Sequence, residues 1–172
     1  MGAVVEWRFE SLSRGHDRDS FACGEQELDE FLKKFALQNQ EKGIGRTFVA
    51  VRPGQFHIVG YYTLSVACVN AATLSPTDRK RLPRYPLPVA LLGRLAVDQV
   101  AQGQGLGQLL LMHALRNTHA ASMRIGIHSI AVHALTEEAK QFYLRYGFRE
   151  FLDDPLHLYL PLHEIPKMLP PN

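Results

Sequence analysis

Three glycines, Gly103, Gly105 and Gly107, alternate with Gln104 and Leu106 in the stretch LAVDQVAQGQGLGQLLLMHALR, residues 95–116. A β-type apolar run precedes them and a helical apolar pattern follows. Glycines at a strand-to-helix turn let backbone N–H groups come close to an anion, and the first turn of the helix adds free N–H groups and a partial positive charge. The chemistry implied is the holding of a phosphate compound. A P-loop would place Lys and then Ser or Thr after the last glycine, where this chain has Gln108 and Leu109. A dinucleotide fingerprint would be G-x-G-x-x-G in the first βαβ unit; here the spacing is G-x-G-x-G and the turn follows several strands that read as antiparallel. Coenzyme A, which carries a diphosphate, fits what remains.

The rest of the chain has to position this turn. It is 172 residues long, 46% hydrophobic and 21% charged, with a formal net charge of +2. That is the length and composition of one self-sufficient globular domain, here residues 1–172, and the mild charge does not by itself demand a nucleic-acid partner. Cys23 and Cys68 form no C-x-x-C pair, and the eight histidines show no H-x-x-x-H spacing. A disulfide framework or metal site is therefore not expected, and a reducing, cytoplasmic setting is. The N-terminus carries Glu6 and Glu10 and lacks the basic-then-apolar pattern of a signal peptide; no apolar run approaches the length of a membrane span.

Strand and helix signals alternate. VVEWRFESL reads as an opening strand, and Leu28, Phe31, Leu32 and Phe35 recur at helical spacing within 20–42. RTFVAV and HIVGYYTLSVACV flank the turn signal RPGQ and read as an antiparallel hairpin. SPTDRKRLPRYPLP, residues 75–88, joins four prolines to a basic cluster and reads as a loop with at most a short helix. VALLGRLAV is a central strand apolar on both faces except for Arg94; a helix over 106–123, a strand HSIAVHA, a helix TEEAKQFYLRYGF capped by Thr136 and stopped at Gly147, and a closing strand PLHLYLPL follow. The order indicates a single mixed α/β domain.

Gln102-Gly103-Gln104-Gly105-Leu106-Gly107 resembles the Q/R-x-x-G-x-G/A motif of the GNAT superfamily of acetyl-CoA-dependent N-acetyltransferases; RLAVD resembles its fourth strand, and FYLRYGF, residues 142–148, its F-Y-x-x-x-G-F helix. The resemblance implies a mixed sheet of about six to seven strands flanked by about four helices, with a splayed fourth and fifth strand admitting acetyl-CoA. Cofactor contacts then fall on Leu95, Ala96, Val97, Gln102, Gly103, Gln104, Gly105, Leu106, Gly107 and Gln108. Gln102 and Gln104 stand where the family often carries Arg, so backbone amides must do most of the holding.

A narrower resemblance spans most of the chain. FACGEQELDEFLKKFALQNQEKGIGRTFVAV, GYYTLS, RLPRYPLPVALLGRLAVD and FYLRYGF are together similar to the GNAT toxins of bacterial type II toxin–antitoxin systems. That likeness implies acetylation of the α-amine of aminoacyl-tRNA, arrest of translation, a ribbon-helix-helix antitoxin through which operator DNA is bound, and a homodimer. It also implies that Tyr143 is the catalytic tyrosine.

Acetyl transfer from a thioester to an amine needs a neutral amine, a donor for the developing oxyanion and a proton or hydrogen bond for the thiolate. In the family a fourth-strand amide, here about Val97, takes the oxyanion role, and Tyr143 the thiolate. No Glu or His has a motif-based claim as base; Glu137 and Glu138 read as first-turn acids favouring the helix dipole. An α-amine titrates near ~7.7–8.0 and needs little help, whereas a lysine amine near ~10.4 would need a base.

Alternatives stand beside several of these residues. Tyr143 also fits a core aromatic, with Phe142 and Tyr146 as neighbours of the same kind. Arg79, Lys80, Arg81 and Arg84 fit either a solvated loop or a tRNA backbone contact, and Arg94 either a buried carboxylate pair or the acceptor site. Two further functions remain in view: acetylation of a small amine or a protein N-terminus, and a non-catalytic module that senses coenzyme A.

Overall fold

The computed structural model describes residues 5–169. Within them β1 (Arg8–Ser11) is followed by α1 (Gln26–Glu30), which runs through a π-helical turn (Phe31–Phe35) into α2 (Ala36–Glu41). Next come β2 (Arg46–Val51), β3 (Ile58–Val69), the short α3 (Pro76–Arg79), β4 (Leu87–Val97), α4 (Leu106–Ser122), β5 (Ser129–His133), α5 (Glu137–Arg145), β6 (Arg149–Phe151) and β7 (Asp154–Pro161). The strands take the order β1-β2-β3-β4-β5-β7-β6 in one mixed sheet. The expected α/β class and strand number hold. β4 and β5 are parallel and so need the long connection that α4 supplies.

The chain forms two compact units, residues 5–65 with Arg94–Ala114, and Val66–Gly93 with residues 115–169. In the first, β1 and β3 flank β2 in antiparallel register, with Phe9 opposite Ala50 and Val49 opposite Tyr61. Leu28, Phe31 and Leu32 bring the apolar stripe of the helical run onto Phe21, Val49 and Tyr61. That run begins at Gln26, later than the span 20–42 suggests. Gly24 adopts φ +100° and the Cys23 amide donates to the Asp29 carboxylate at 2.9 Å, so the chain turns into the helix at Glu25 and cannot be helical before it. The opening strand is likewise shorter than VVEWRFESL, and its Val4 lies outside the described residues.

In the second unit β7 pairs with β5 on one side and β6 on the other, both antiparallel. PLHLYLPL is therefore an interior strand. The edge belongs to β6, three residues long, too short to show a period and of the kind that limits edge-to-edge association. Leu74, Leu87, Val89, Ala131 and Tyr159 fill the core of this unit. α5 begins with the Thr136 hydroxyl accepting the Ala139 amide, carries Glu137 and Glu138 in its first turn, and ends before Gly147 at φ +90°.

Candidate active site

Gly103 and Gly105 have φ of +77° and +82°, a region an L side chain enters at a cost, and a Cβ at either position would meet nothing within 4 Å. The demand for glycine there is thus conformational, and the space before the turn is open. The first in-helix bond of α4 runs from the Leu109 amide to the Gly105 carbonyl, so the N–H groups of Leu106, Gly107 and Gln108 have no acceptor within the helix. This fits a diphosphate held by backbone.

The two glutamine side chains bond to the protein's own backbone. Gln102 Nε2 donates to the carbonyls of Cys23 at 2.8 Å and Val97 at 2.9 Å, and Gln104 Nε2 donates to the Val100 carbonyl at 3.3 Å. Their side chains tie the turn to its surroundings. The segment Phe21–Gly24 is the other half of that tie. The Ala22 amide donates to the Asp98 carboxylate at 3.1 Å and the Ala22 carbonyl accepts from the Gln99 amide at 2.9 Å. Asp98 also caps the following 3-10 turn by accepting the Val100 amide, and is buried. The F-x-C-G opening thus earns its spacing: Phe21 fills the core, Gly24 makes the left-handed turn, and the residues between them lock onto 97–102.

Gly60 seats α4 against the strands beneath it. A Cβ at Gly60 would stand 2.9 Å from Leu110 Cδ1, 3.1 Å from Leu106 Cδ2 and 3.3 Å from the Ala96 carbonyl. Neither Asp98 nor Gly60 was reached from the sequence, although an Asp after a strand and a glycine inside an apolar strand are the usual signals of a cap and of close backbone approach.

β4 pairs with β5 from Val89–Ser129 to Leu92–Val132, while β4 itself continues to Val97. Leu95, Ala96 and Val97 lie in the part of β4 beyond Leu92. Arg94 is half-buried with its guanidinium 3.6 Å from the centre of the Phe31 ring. Among the described residues it lies over an aromatic face, a cation–π contact, and in no ion pair with a carboxylate.

Tyr143 is buried on α5, with Phe142 and Phe148 edge-on at 5.2 Å and 5.4 Å between ring centres. Burial pushes its phenol above the ordinary range. The group stays protonated and is better suited to donating a hydrogen bond than to releasing its proton. Tyr146 is half-buried. The Cys23 thiol, pushed up to about 12 by burial and then by Asp29, is a packing group.

Arg79 closes α3, Lys80 and Arg81 follow in the adjoining turn and Arg84 lies three residues on; all four are exposed. α3 is held by Asp78, whose carboxylate accepts from Arg149, Tyr159 and Ser75; Arg149 reaches on to Glu164. Those three donors hold the Asp78 carboxyl below its usual range although burial opposes them.

Residues 44–150 match the acetyltransferase (GNAT) domain family. The chain belongs to the GNAT acetyltransferase family. The tRNA-acetylating toxin of Mycobacterium tuberculosis is 43% identical over 149 residues, covering 87% of this chain and 88% of that one. Among solved structures, a tyrosine-to-phenylalanine mutant of KacT superposes with a TM-score of 0.90 at 34% identity, covering 95% of this chain and 99% of that one. AtaT complexed with acetyl-methionyl-tRNAfMet does so with a TM-score of 0.89 at 33% identity, over 95% and 99% of the two chains. Similar structures also include AtaTR bound with acetyl-CoA, an AtaT mutant bound to the C-terminus of the antitoxin AtaR, and a KacTA–DNA complex. Among the described residues of this GNAT acetyltransferase no helix is long and apolar enough to cross a membrane.

Proposed function

We propose that this acetyltransferase is the toxin of a type II toxin–antitoxin pair, which moves acetyl from acetyl-CoA to the α-amine of aminoacyl-tRNA and so blocks translation. The observation that carries the reading is the near full-length similarity to a tRNA-acetylating toxin. The turn before α4 supports it, because its amides suit a diphosphate.

Acetyl-CoA supplies an activated thioester carbonyl. The amides of 103–108 hold its diphosphate, and those of Leu95, Ala96 and Val97 line the thioester arm, with the Val97 amide donating to the carbonyl oxygen as it gains charge. The amine nitrogen attacks the carbonyl carbon, a C–N bond forms, and the C–S bond breaks with its electron pair passing to sulfur. Tyr143 donates a hydrogen bond to that sulfur. Its raised pKa favours hydrogen bonding over full proton transfer, and the proton shed by the amine passes to water. A free α-amine titrates near ~7.7–8.0 and the adjacent ester lowers it further, so a substantial neutral fraction is present at working pH and no strong side-chain base is required.

The same reading makes residues 1–172 a single domain and a cytoplasmic homodimer, paired with a ribbon-helix-helix antitoxin through which operator DNA is bound. The test is incubation with acetyl-CoA and total charged tRNA, followed by mass spectrometry of the aminoacyl ends. N-acetylated aminoacyl-adenosine is expected; acetylation confined to free small amines or protein N-termini would replace the reading.

A further inference from the structure

The loop that carries the basic cluster also forms a cradle. Ala71, Ala72, Leu82 and Pro83 line a concavity of about 310 Å3, with Arg79 and Arg84 among its walls. That volume is at the small end of ligand clefts, ~300–1,000 Å3, and suits one nucleotide. Arg79 Nη1 is fixed by the Ala72 carbonyl at 3.3 Å. Next along the chain Tyr85 is 67% exposed, and it stands between Pro83 and Pro86, whose rings restrict the backbone around it. Arg81 adopts φ +67°, a left-handed conformation costly for a non-glycine residue and of the kind found at ligand clamps. At the other end α3 is pinned through Asp78 to Arg149 and Tyr159. The loop is therefore stiffened at the points where it presents its cations and its ring.

A duplex stem asks a protein for cations at phosphate spacing. An unpaired nucleotide asks for more: an aromatic face for its base, an apolar floor, and cations for its phosphates. The loop offers the second set. We infer that the cradle of residues 70–84 binds an unpaired nucleotide of the single-stranded 3′ end of the tRNA, with the adjoining Tyr85 stacking on the base and Arg79 and Arg84 taking phosphates. This rests on the tRNA reading above and specifies which part of that substrate the loop holds.

The test measures fluorescence anisotropy with two labelled probes, a single-stranded RNA oligonucleotide ending in CCA and a blunt RNA duplex, alongside steady-state kinetics on charged tRNA. Tyr85→Ala is expected to weaken single-strand binding roughly tenfold or more and to raise KM for aminoacyl-tRNA, with KM for acetyl-CoA and Tm unchanged; Tyr85→Trp restores binding. Arg79→Gln with Arg84→Gln flattens the salt dependence by about one to two units of slope. Equal affinity of the duplex and the single strand, or kinetics and binding indifferent to Tyr85→Ala, would overturn the cradle. Wild-type protein that binds the single strand through Tyr85 yet acetylates no charged tRNA would overturn the proposed substrate and leave the cradle standing.

Discussion

Gly60→Ala places one methyl group where α4 presses on the strands. The new Cβ would lie 2.9 Å from Leu110 Cδ1, 3.1 Å from Leu106 Cδ2 and 3.3 Å from the Ala96 carbonyl. Two of these neighbours are ends of leucine side chains, but Leu106 and Leu110 are 1% and 0% exposed, so neither has free space to swing into. The third is backbone. Overpacking of this kind costs about 1–3 kcal/mol, offset by about 0.4–1 kcal/mol because alanine restricts the unfolded chain. The net is a loss of about 0.5–2 kcal/mol, or a Tm lower by roughly 1–8 °C for a chain of this size. Leu106 opens α4, so lifting it also shifts the amides of Leu106, Gly107 and Gln108 and weakens acetyl-CoA binding. Thermal melting followed by circular dichroism measures the first effect and titration calorimetry the second. A Tm that rises with unchanged acetyl-CoA affinity would show that α4 does not rest on Gly60, and the argument for how the turn is seated would fail.

Four other outcomes are expected. Gly105→Glu forces a side chain into φ +82° and a carboxylate into the turn proposed to hold the diphosphate, so acetyl-CoA binding should vanish in calorimetry; near-normal affinity would relocate the cofactor. Tyr143→Phe keeps the ring packing and removes the donor, so acetyl-CoA affinity should persist while kcat falls at least 10²-fold, a typical contribution of a positioned acid; unchanged turnover removes Tyr143 from the chemistry. Asp98→Ala leaves the Ala22 and Val100 amides without their acceptor and should cost about 1–2 kcal/mol in denaturant unfolding, with Asp98→Asn milder; equal stability of the two variants would deny the carboxylate its role. At pH 8 iodoacetamide should modify exposed Cys68 and leave Cys23, whose thiol sits near 12, largely unalkylated; peptide mapping that finds both modified at one rate would contradict the buried setting of Cys23.

Much of this site could be read before its shape was known, because the turn is local. Glycine spacing, the strand before it and the helix after it lie within 22 consecutive residues, and local backbone physics dictates their conformation. The same holds for α5, whose start at Thr136 and stop at Gly147 are written in its own caps. Helix length at the N-terminal end was harder, since the turn at Gly24 and the Cys23–Asp29 bond remove six residues that the apolar period alone does not exclude. β6 was out of reach because three residues cannot show a period, and its existence depends on β7 being there to pair with.

By itself the sequence determined the strand–glycine turn–helix order and the mixed α/β class, both of which follow from short-range spacing. The tertiary structure alone decided what the side chains around that turn do. Gln102 donates to the Cys23 and Val97 carbonyls, Asp98 accepts from Ala22, and Arg94 lies on Phe31. In each case the partner is five to 79 residues away, and a side chain chooses among distant partners only when packing has brought them within hydrogen-bond reach.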